Sequence, residues 1–360
     1  MSILSPTLSD YTNLLSQTWG ARWGGLVSSI VDQSPLLHFC FAKGAVHFED
    51  APYATRPFTH ALNPNIQTYA GAETLNSATF EHTKLLKWEQ WGQISCQCVV
   101  PVDDIDKNQN AKHAVSNLLK TEEMICAETM SQFIEEQLHT ASVSSKDVQG
   151  LRDQLEFTTP ALQETAGTVV GGIAKSVAKG WYNQYASIAG GFSTAGVKAM
   201  KLLHRKCSRY GRSVDLIPAD PSIYDAYEDW LGPLQQLEPK AMADVGFDSI
   251  FFKKALLFAD YNITTDSGEA FFLQVQGKKT SNYHIDAKWF DPVKKASRGP
   301  VDQGNMRLWF GKTAFFQSSP WKDAEDQHVL KNKTRVSLQL TFSNLREQGC
   351  LDFASGSFQA

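Results

Sequence analysis

The sequence predicts an α+β fold, and three observations carry the prediction. Residues 111–139 repeat apolar side chains at helical spacing, whereas residues 94–100, 305–316 and 334–342 alternate apolar with polar residues as half-buried strands do. Residues 150–290 read as a mixture of short helices and strands. Of 360 residues, 42% are apolar, including 21 Phe, 10 Tyr and 9 Trp, enough to fill sizeable cores and to exclude disorder as the overall state.

The first 65 residues hold two short helix-compatible stretches, Ser9–Trp19 and Trp23–Ser29, among Pro35, Pro52, Pro57 and Pro64. Repeated prolines favour an extended, irregular arm. Leu36, Leu37, Phe39, Phe41 and Phe58 on such an arm must lie on another surface, of the same chain or of a neighbour. Further on, Ile94, Cys96, Cys98 and Val100 alternate with Ser95, Gln97 and Val99, a strand pattern for which Thr79–Leu86 is the expected antiparallel partner. Lys87–Gly92 would then form the tip of a long hairpin built to reach outward, with Trp88 and Trp91 near its end.

Asn108 or Asn110 can cap a helix running from Ala111 to about His139. Its apolar stripe is Val115, Leu118, Leu119, Ile125, Cys126, Met130, Phe133, Ile134 and Leu138. At 1.5 Å per residue it makes a spine of roughly 43 Å. Glu122, Glu123, Glu128, Glu135 and Glu136 form a solvated face, or one that meets basic neighbours. Thr194–Arg209 is the next helix, with Ala195, Met200, Leu203 and Cys207 inward. A strand at Val214–Pro218 leads through Pro221, suited to a first helical turn, into Ser222–Leu231. Ser249–Phe252 and Ala270–Val275 are strands, with a turn at Asp266–Gly268. Polar residues Ser318–Asn332 loop between the two late strands, and no repeat of solenoid length is visible.

Charge excludes the simplest nucleic-acid reader. Lys and Arg number 34 against 38 Asp and Glu, a net of −4. Residues 1–150 carry 9 against 16, net −7, and residues 151–360 carry 25 against 22, net +3. Six cysteines, at 40, 96, 98, 126, 207 and 350, are too sparse for a disulfide scaffold and are expected as buried thiols of a protein that folds in a cytoplasm. No apolar run reaches the roughly 18 residues of a membrane span, and the start of the chain lacks a signal-peptide pattern.

Catalytic and cofactor motifs are weak throughout. Gly191–Lys198 approximates a phosphate loop without its Gly-Lys-Ser/Thr ending and reads as a helix start with permissive glycines. There is no Gly-x-Ser-x-Gly elbow, and the nine histidines show no zinc spacing. Cys96 and Cys98 share a strand face but have no second pair for a metal. The expectation is therefore no catalytic residue, no cofactor and no metal. An arm and a hairpin that cannot bury themselves suggest a subunit that completes its fold through neighbours.

The order of these elements resembles a tailed-bacteriophage major capsid protein of the Johnson fold. Thr168-Val169-Val170-Gly171-Gly172-Ile173 followed by Trp181-Tyr182-Asn183-Gln184 is similar to that family's Gly-Gly-Ile and Trp-x-Asn-Gln signature. Asp215–Tyr224 resembles its strand leading into a Tyr-bearing helix, and Ala243–Phe247 with Phe251-Phe252-Lys253 and Asp260 looks like the next block. Pro300–Gln303 and Asn344–Leu351 resemble its closing pieces, so the resemblance runs from about Gly71 to Phe353.

The resemblance implies an N-terminal arm (1–65), an extended hairpin loop (66–104), a peripheral domain with the spine helix (105–150), an axial domain (151–290) and a return to peripheral-domain strands (291–360). It implies self-assembly into pentamers and hexamers of an icosahedral shell, put together in a host cytoplasm and forming part of the virion. Packaged double-stranded DNA would be held without sequence recognition. Further partners would be a separate scaffolding protein, a portal and decoration proteins, with no membrane. Candidate inter-subunit contacts are Trp88, Trp91, Lys84, Lys87, Phe39 and Phe41. Some related phages cross-link a hairpin lysine to a neighbour's asparagine; Lys84, Lys87 and Asn344 lie in the corresponding regions, without a motif that establishes the reaction. The competing readings are an encapsulin-like compartment and an intracellular α+β enzyme.

Overall fold

The computed structural model of the protein describes residues 34–59, 83–103, 114–231, 249–263, 268–275 and 305–353, less residues 90, 145, 177–179, 189–191, 209–212 and 325–326, together with isolated positions between 60 and 82. The helices expected before residue 30, the cap at Asn108 or Asn110, most of the Asp266–Gly268 turn and the blocks at 243–247 and 300–303 lie outside the described residues.

In chain order the elements begin with α1 (Pro35–Ala42), β1 (Val46–Phe48), β2 (Ala54–Thr59), β3 (Thr83–Trp88) and β4 (Gly92–Pro101). The spine helix α2 (Ala114–His139) follows, then α3 (Leu151–Gln154), α4 (Pro160–Ala166), β5 (Val169–Val170), β6 (Ile173–Ala174) and β7 (Gln184–Ile188). A π turn at Phe192–Gly196 opens α5 (Val197–Cys207), ahead of β8 (Leu216–Ala219) and α6 (Pro221–Leu231). The last strands are β9 (Ser249–Phe252), β10 (Ala255–Ala259), β11 (Glu269–Phe272), β12 (Met306–Phe310), β13 (Gln317–Ser318), β14 (Lys322–Ala324), β15 (Gln327–Phe342) and β16 (Gly349–Phe353). The mixture is α+β, as the sequence predicts.

The chain divides into two compact units: 1–52 with 90–151 and 308–340, and 53–89 with 152–307 and 341–360. In the first, a sheet in the order β1-β12-β15-β13, with β14 and β4 also on β15, lies beside the spine helix. The β4 alternation holds: Ile94, Cys98 and Val100 are buried and Gln93, Ser95 and Gln97 exposed. Its partner is not the expected one. β4 runs antiparallel to β15 from Gly92↔Leu338 to Pro101↔Val329, a ten-residue ladder that Thr79–Leu86 could not have matched. The expected polar loop at 318–332 is also partly strand, because β14 folds back on β15 and buries Trp321 and Leu330.

The spine helix buries Leu119, Cys126, Met130, Ile134 and Leu138, while Ile125 and Phe133 remain about half exposed, so its stripe is narrower than predicted. Its acidic face is not uniformly solvated. Glu123 is buried and accepts from Trp321 Nε1 at 3.1 Å. Glu135 is buried and accepts from Leu36 N at 3.1 Å, satisfying a free donor at the start of α1. Here the irregular-arm expectation fails from Ser34 onward. Pro35 occupies the first turn of a helix, where its missing N–H costs nothing, and Leu36, Leu37, Phe39 and Cys40 are buried. The cysteine expectation also needs correcting: Cys96 and Cys126 are joined by a disulfide, and four free cysteines are all buried.

The second unit holds a mixed sheet ordered β7-β16-β11-β8-β10-β9. β16 is parallel to β7 and β10 to β8; the other pairings are antiparallel. α5, through Met200, Leu203 and Cys207, and α6, through Ile223, Tyr224 and Tyr227, share one core with the sheet. Asp220 begins α6 by accepting from Ser222 N, and its other oxygen takes Gly268 N at 2.7 Å. Gly196, ahead of α5, is structural: a Cβ there would stand 2.4 Å from the Phe192 ring.

His204 on α5 is buried, and burial followed by the nearby Lys253 charge pulls its imidazole down to about 4. The folded protein thus resists protonation that the unfolded chain accepts near 6.5. Stability should be full above that value and fall as pH drops towards 4, by at most about 3 kcal/mol. Melting temperatures at pH 7.5 and pH 4.5 measure the loss, and His204→Gln should remove part of the slope.

Candidate functional site

The hairpin ribbon is built from β2 and β3, which pair antiparallel from Ala54↔Trp88 to Thr59↔Thr83. Trp88 therefore stands at its root, where the sequence reading placed it near the tip. Alternation puts Ala54, Arg56, Phe58, Leu86 and Trp88 on the buried side and Pro57, Leu85 and Lys87 outward.

The root is where the motifs converge. Gly171 and Gly172, at φ +58° and +73°, form the two-residue turn between β5 and β6, the geometry of a type I′ hairpin that only glycine enters freely. Trp88 lies against this turn so closely that a Cβ on Gly171 would meet its ring at 3.1 Å. Lys87 N donates to Gly171 O at 2.8 Å, and Trp88 Nε1 donates to Gln154 Oε1 at 3.1 Å. Trp181, fully buried, donates from Nε1 to Val170 O at 3.1 Å and packs its ring 4.5 Å from Phe58. Asn183 donates to Glu156 O at 2.8 Å and accepts from Glu156 N at 2.9 Å, fixing the strand that follows.

Two buried charges belong to the same root. Lys175 Nζ, wholly inaccessible, donates to Glu156 Oε1 at 2.8 Å and Gln154 O at 3.3 Å. Burial pulls the Lys175 ammonium below its ordinary value against the raising pull of Glu156. Burial works to raise the Glu156 carboxyl, but the Lys175 hydrogen bond and charge outweigh it and hold the group low. Arg56, on β2, donates to Asn305 O at 2.9 Å and Thr341 O at 3.4 Å. Asn305 Nδ2 in turn contacts Gln274 Oε1 and Glu347 Oε2, and Gln348 Oε1 accepts from Gln274 N at 2.9 Å.

Of the six residues singled out from sequence, the structure brings Trp88 and Lys87 to the root. Lys87 is exposed, with Nζ 4.4 Å over the Tyr53 ring, and Lys84 is half-buried further along β3. Trp91, Phe39 and Phe41 belong to the other unit: Trp91 is half-buried, Phe39 buried, and the Phe41 ring lies tilted 5.8 Å from that of Phe310. Asn344 turns its side chain inward to accept from Arg346 N. Arg56, Gln154, Glu156 and Lys175 were not anticipated. The one signal for the site was the Gly-Gly pair between Val170 and Ile173, which predicts a tight turn but not what rests on it. The arrangement is mechanical in character: tryptophans, a glycine turn, one lysine–glutamate ion pair and a buried arginine clamp the base of a two-stranded ribbon.

Solved phage capsids share this fold. The capsid protein of cyanophage A-1(L) matches it with a TM-score of 0.55 and 14% identity, over 86% of this chain and 90% of that one. The capsid protein of Myoviridae phage XM1 matches with a TM-score of 0.51 and 8% identity, over 88% and 92%. No family model matches the sequence, and no curated relative does. Among the described residues no helix is long and apolar enough to cross a membrane.

Proposed function

We propose that this chain is the major capsid protein of a tailed bacteriophage, self-assembling into pentamers and hexamers of an icosahedral shell around packaged double-stranded DNA. The observation that carries the reading is fold likeness over 86% of this chain and 90% of the cyanophage A-1(L) capsid chain. Among the described residues the two-stranded ribbon has no third strand on either outer edge, and such edges are stable when a neighbour covers them. Its role is structural and non-catalytic. DNA contact is supported by α5, whose outer face presents Lys198, Lys201 and Arg205 with no acidic residue between Val197 and Cys207. A separate scaffolding protein, a portal and decoration proteins complete the proposed partners, with assembly in the host cytoplasm.

Negative-stain microscopy and size-exclusion chromatography of the purified protein, with and without candidate scaffolding protein, test this. Closed shells or capsomer-sized rings are expected. A uniform dimer or tetramer that never forms either would overturn the reading and favour an enzyme.

A further inference from the structure

We propose that Cys96 and Cys126 are an oxidation-gated staple between β4 and the spine helix, open in reducing surroundings and closed by exchange with a low-molecular-weight disulfide that enters at Cys96. The two residues are 30 positions apart, one on a strand and one midway along the helix, with Cα atoms 6.2 Å apart. That separation lies within the range a disulfide spans without backbone movement. Both lie in or against the apolar cluster of Cys98, Val100, Leu119, Trp321 and Leu330, so helix and strand are already packed and closure is a local event.

Accessibility sets the order of reaction. Cys96 is partly exposed, whereas Cys126 is buried at 7%. Cys98, two residues along the same strand face, is a poor competitor. It is buried and its Sγ donates to Glu122 O at 3.7 Å. Burial, then the charges of Glu123 and Glu122, push that thiol up to about 12, so it holds its proton. Cys40, Cys207 and Cys350 are buried elsewhere.

The exchange balances in two steps. The Cys96 thiolate attacks one sulfur of glutathione disulfide, forming a mixed disulfide and expelling one glutathione thiolate. The Cys126 thiolate then attacks Cys96 Sγ, expelling the second. Two protein thiols are oxidised, one small disulfide is reduced to two thiols, and the two protein protons leave with them. Closure fixes the span between β4 and the first half of the spine helix, restraining the unfolded chain more than the folded one. Because reducing cell interiors hold thiols open, closure would follow a change of surroundings.

The test is a cysteine count on the full chain. Protein from cells broken directly into excess N-ethylmaleimide is compared with protein first incubated with glutathione disulfide, each denatured and mapped by mass spectrometry. Six alkylated cysteines are expected in the first sample and four in the second, with the bridge at Cys96–Cys126. Cys126→Ser should trap glutathione on Cys96, and Cys98→Ser should leave closure unchanged. The closed form should melt higher by roughly 5 °C, a difference that reductant and Cys96→Ser abolish. Six alkylatable cysteines after oxidation would overturn the proposal, as would a bridge already present in the first sample or glutathione trapped on another cysteine. None of these readouts requires shell formation, so the outcome is independent of the capsid reading.

Discussion

Trp88→Ala should lower the melting temperature of the subunit by about 10 °C. Two losses combine. Removing a fully buried indole leaves a cavity against Gly171 and Leu86, which costs about 3–5 kcal/mol. The Gln154 carboxamide loses the donor that satisfied it, a further ~1 kcal/mol. In a unit of this size each kcal/mol shifts the midpoint by about 2–4 °C. Trp91→Ala, at a half-buried position, should shift it far less. Differential scanning fluorimetry of both variants decides the matter. A residue that served only as an inter-subunit contact would leave the subunit's own stability untouched; the root geometry anticipates a subunit that is itself weakened. An unchanged midpoint for Trp88→Ala would count against the clamp.

The second large effect concerns the Lys175–Glu156 pair. Glu156→Ala strands an ammonium with no exposed surface, and breaking a buried pair from one side costs about 3–5 kcal/mol. Replacing both partners, as Lys175→Met with Glu156→Leu, should recover most of the loss because no charge is then left inside. Urea midpoints of the wild type and of the single and double variants test this non-additivity. The Glu156→Ala variant should also gain stability with rising pH. Burial already holds Lys175 below its ordinary 10.5, so the folded state releases a proton that the unfolded chain keeps until higher pH. A double variant as weak as the single one would show that Lys175 acts through packing and its bond to Gln154 O, not through its charge.

Local periodicity made part of this architecture legible. The period-two burial on β4 and the helical spacing of Leu119, Cys126, Met130, Ile134 and Leu138 are properties of neighbouring residues, and they survived. β10 went unseen because Ala255-Leu256-Leu257-Phe258 is buried on both faces and offers no alternation to read. Pairing was hidden for a different reason. β4 finds its ladder on β15, and nothing near β4 in sequence announces a strand at the far end of the chain. The same distance concealed the acids: Glu123 and Glu135 look solvated until Trp321 and Leu36 arrive beside them. The disulfide escaped because two cysteines on different kinds of element share no spacing rule. At the hairpin root the glycine pair was visible, but the tryptophan resting on it was assigned to the wrong end of the ribbon.

The placement of β15 bears on how the chain can be made. β4 emerges from the ribosome with one apolar face and an unpaired hydrogen-bonding edge, and the strand that occupies that edge is made only long after it. β16, which lies between β7 and β11 in the other sheet, follows it. Neither sheet can close before β15 and β16 have been made, so folding waits on long-range pairing, is slow for its length, and is exposed to aggregation in the interval. A chain terminated before Gln327 would lack β15 and β16 together and complete neither unit. Interrupted synthesis thus yields neither unit alone in completed form.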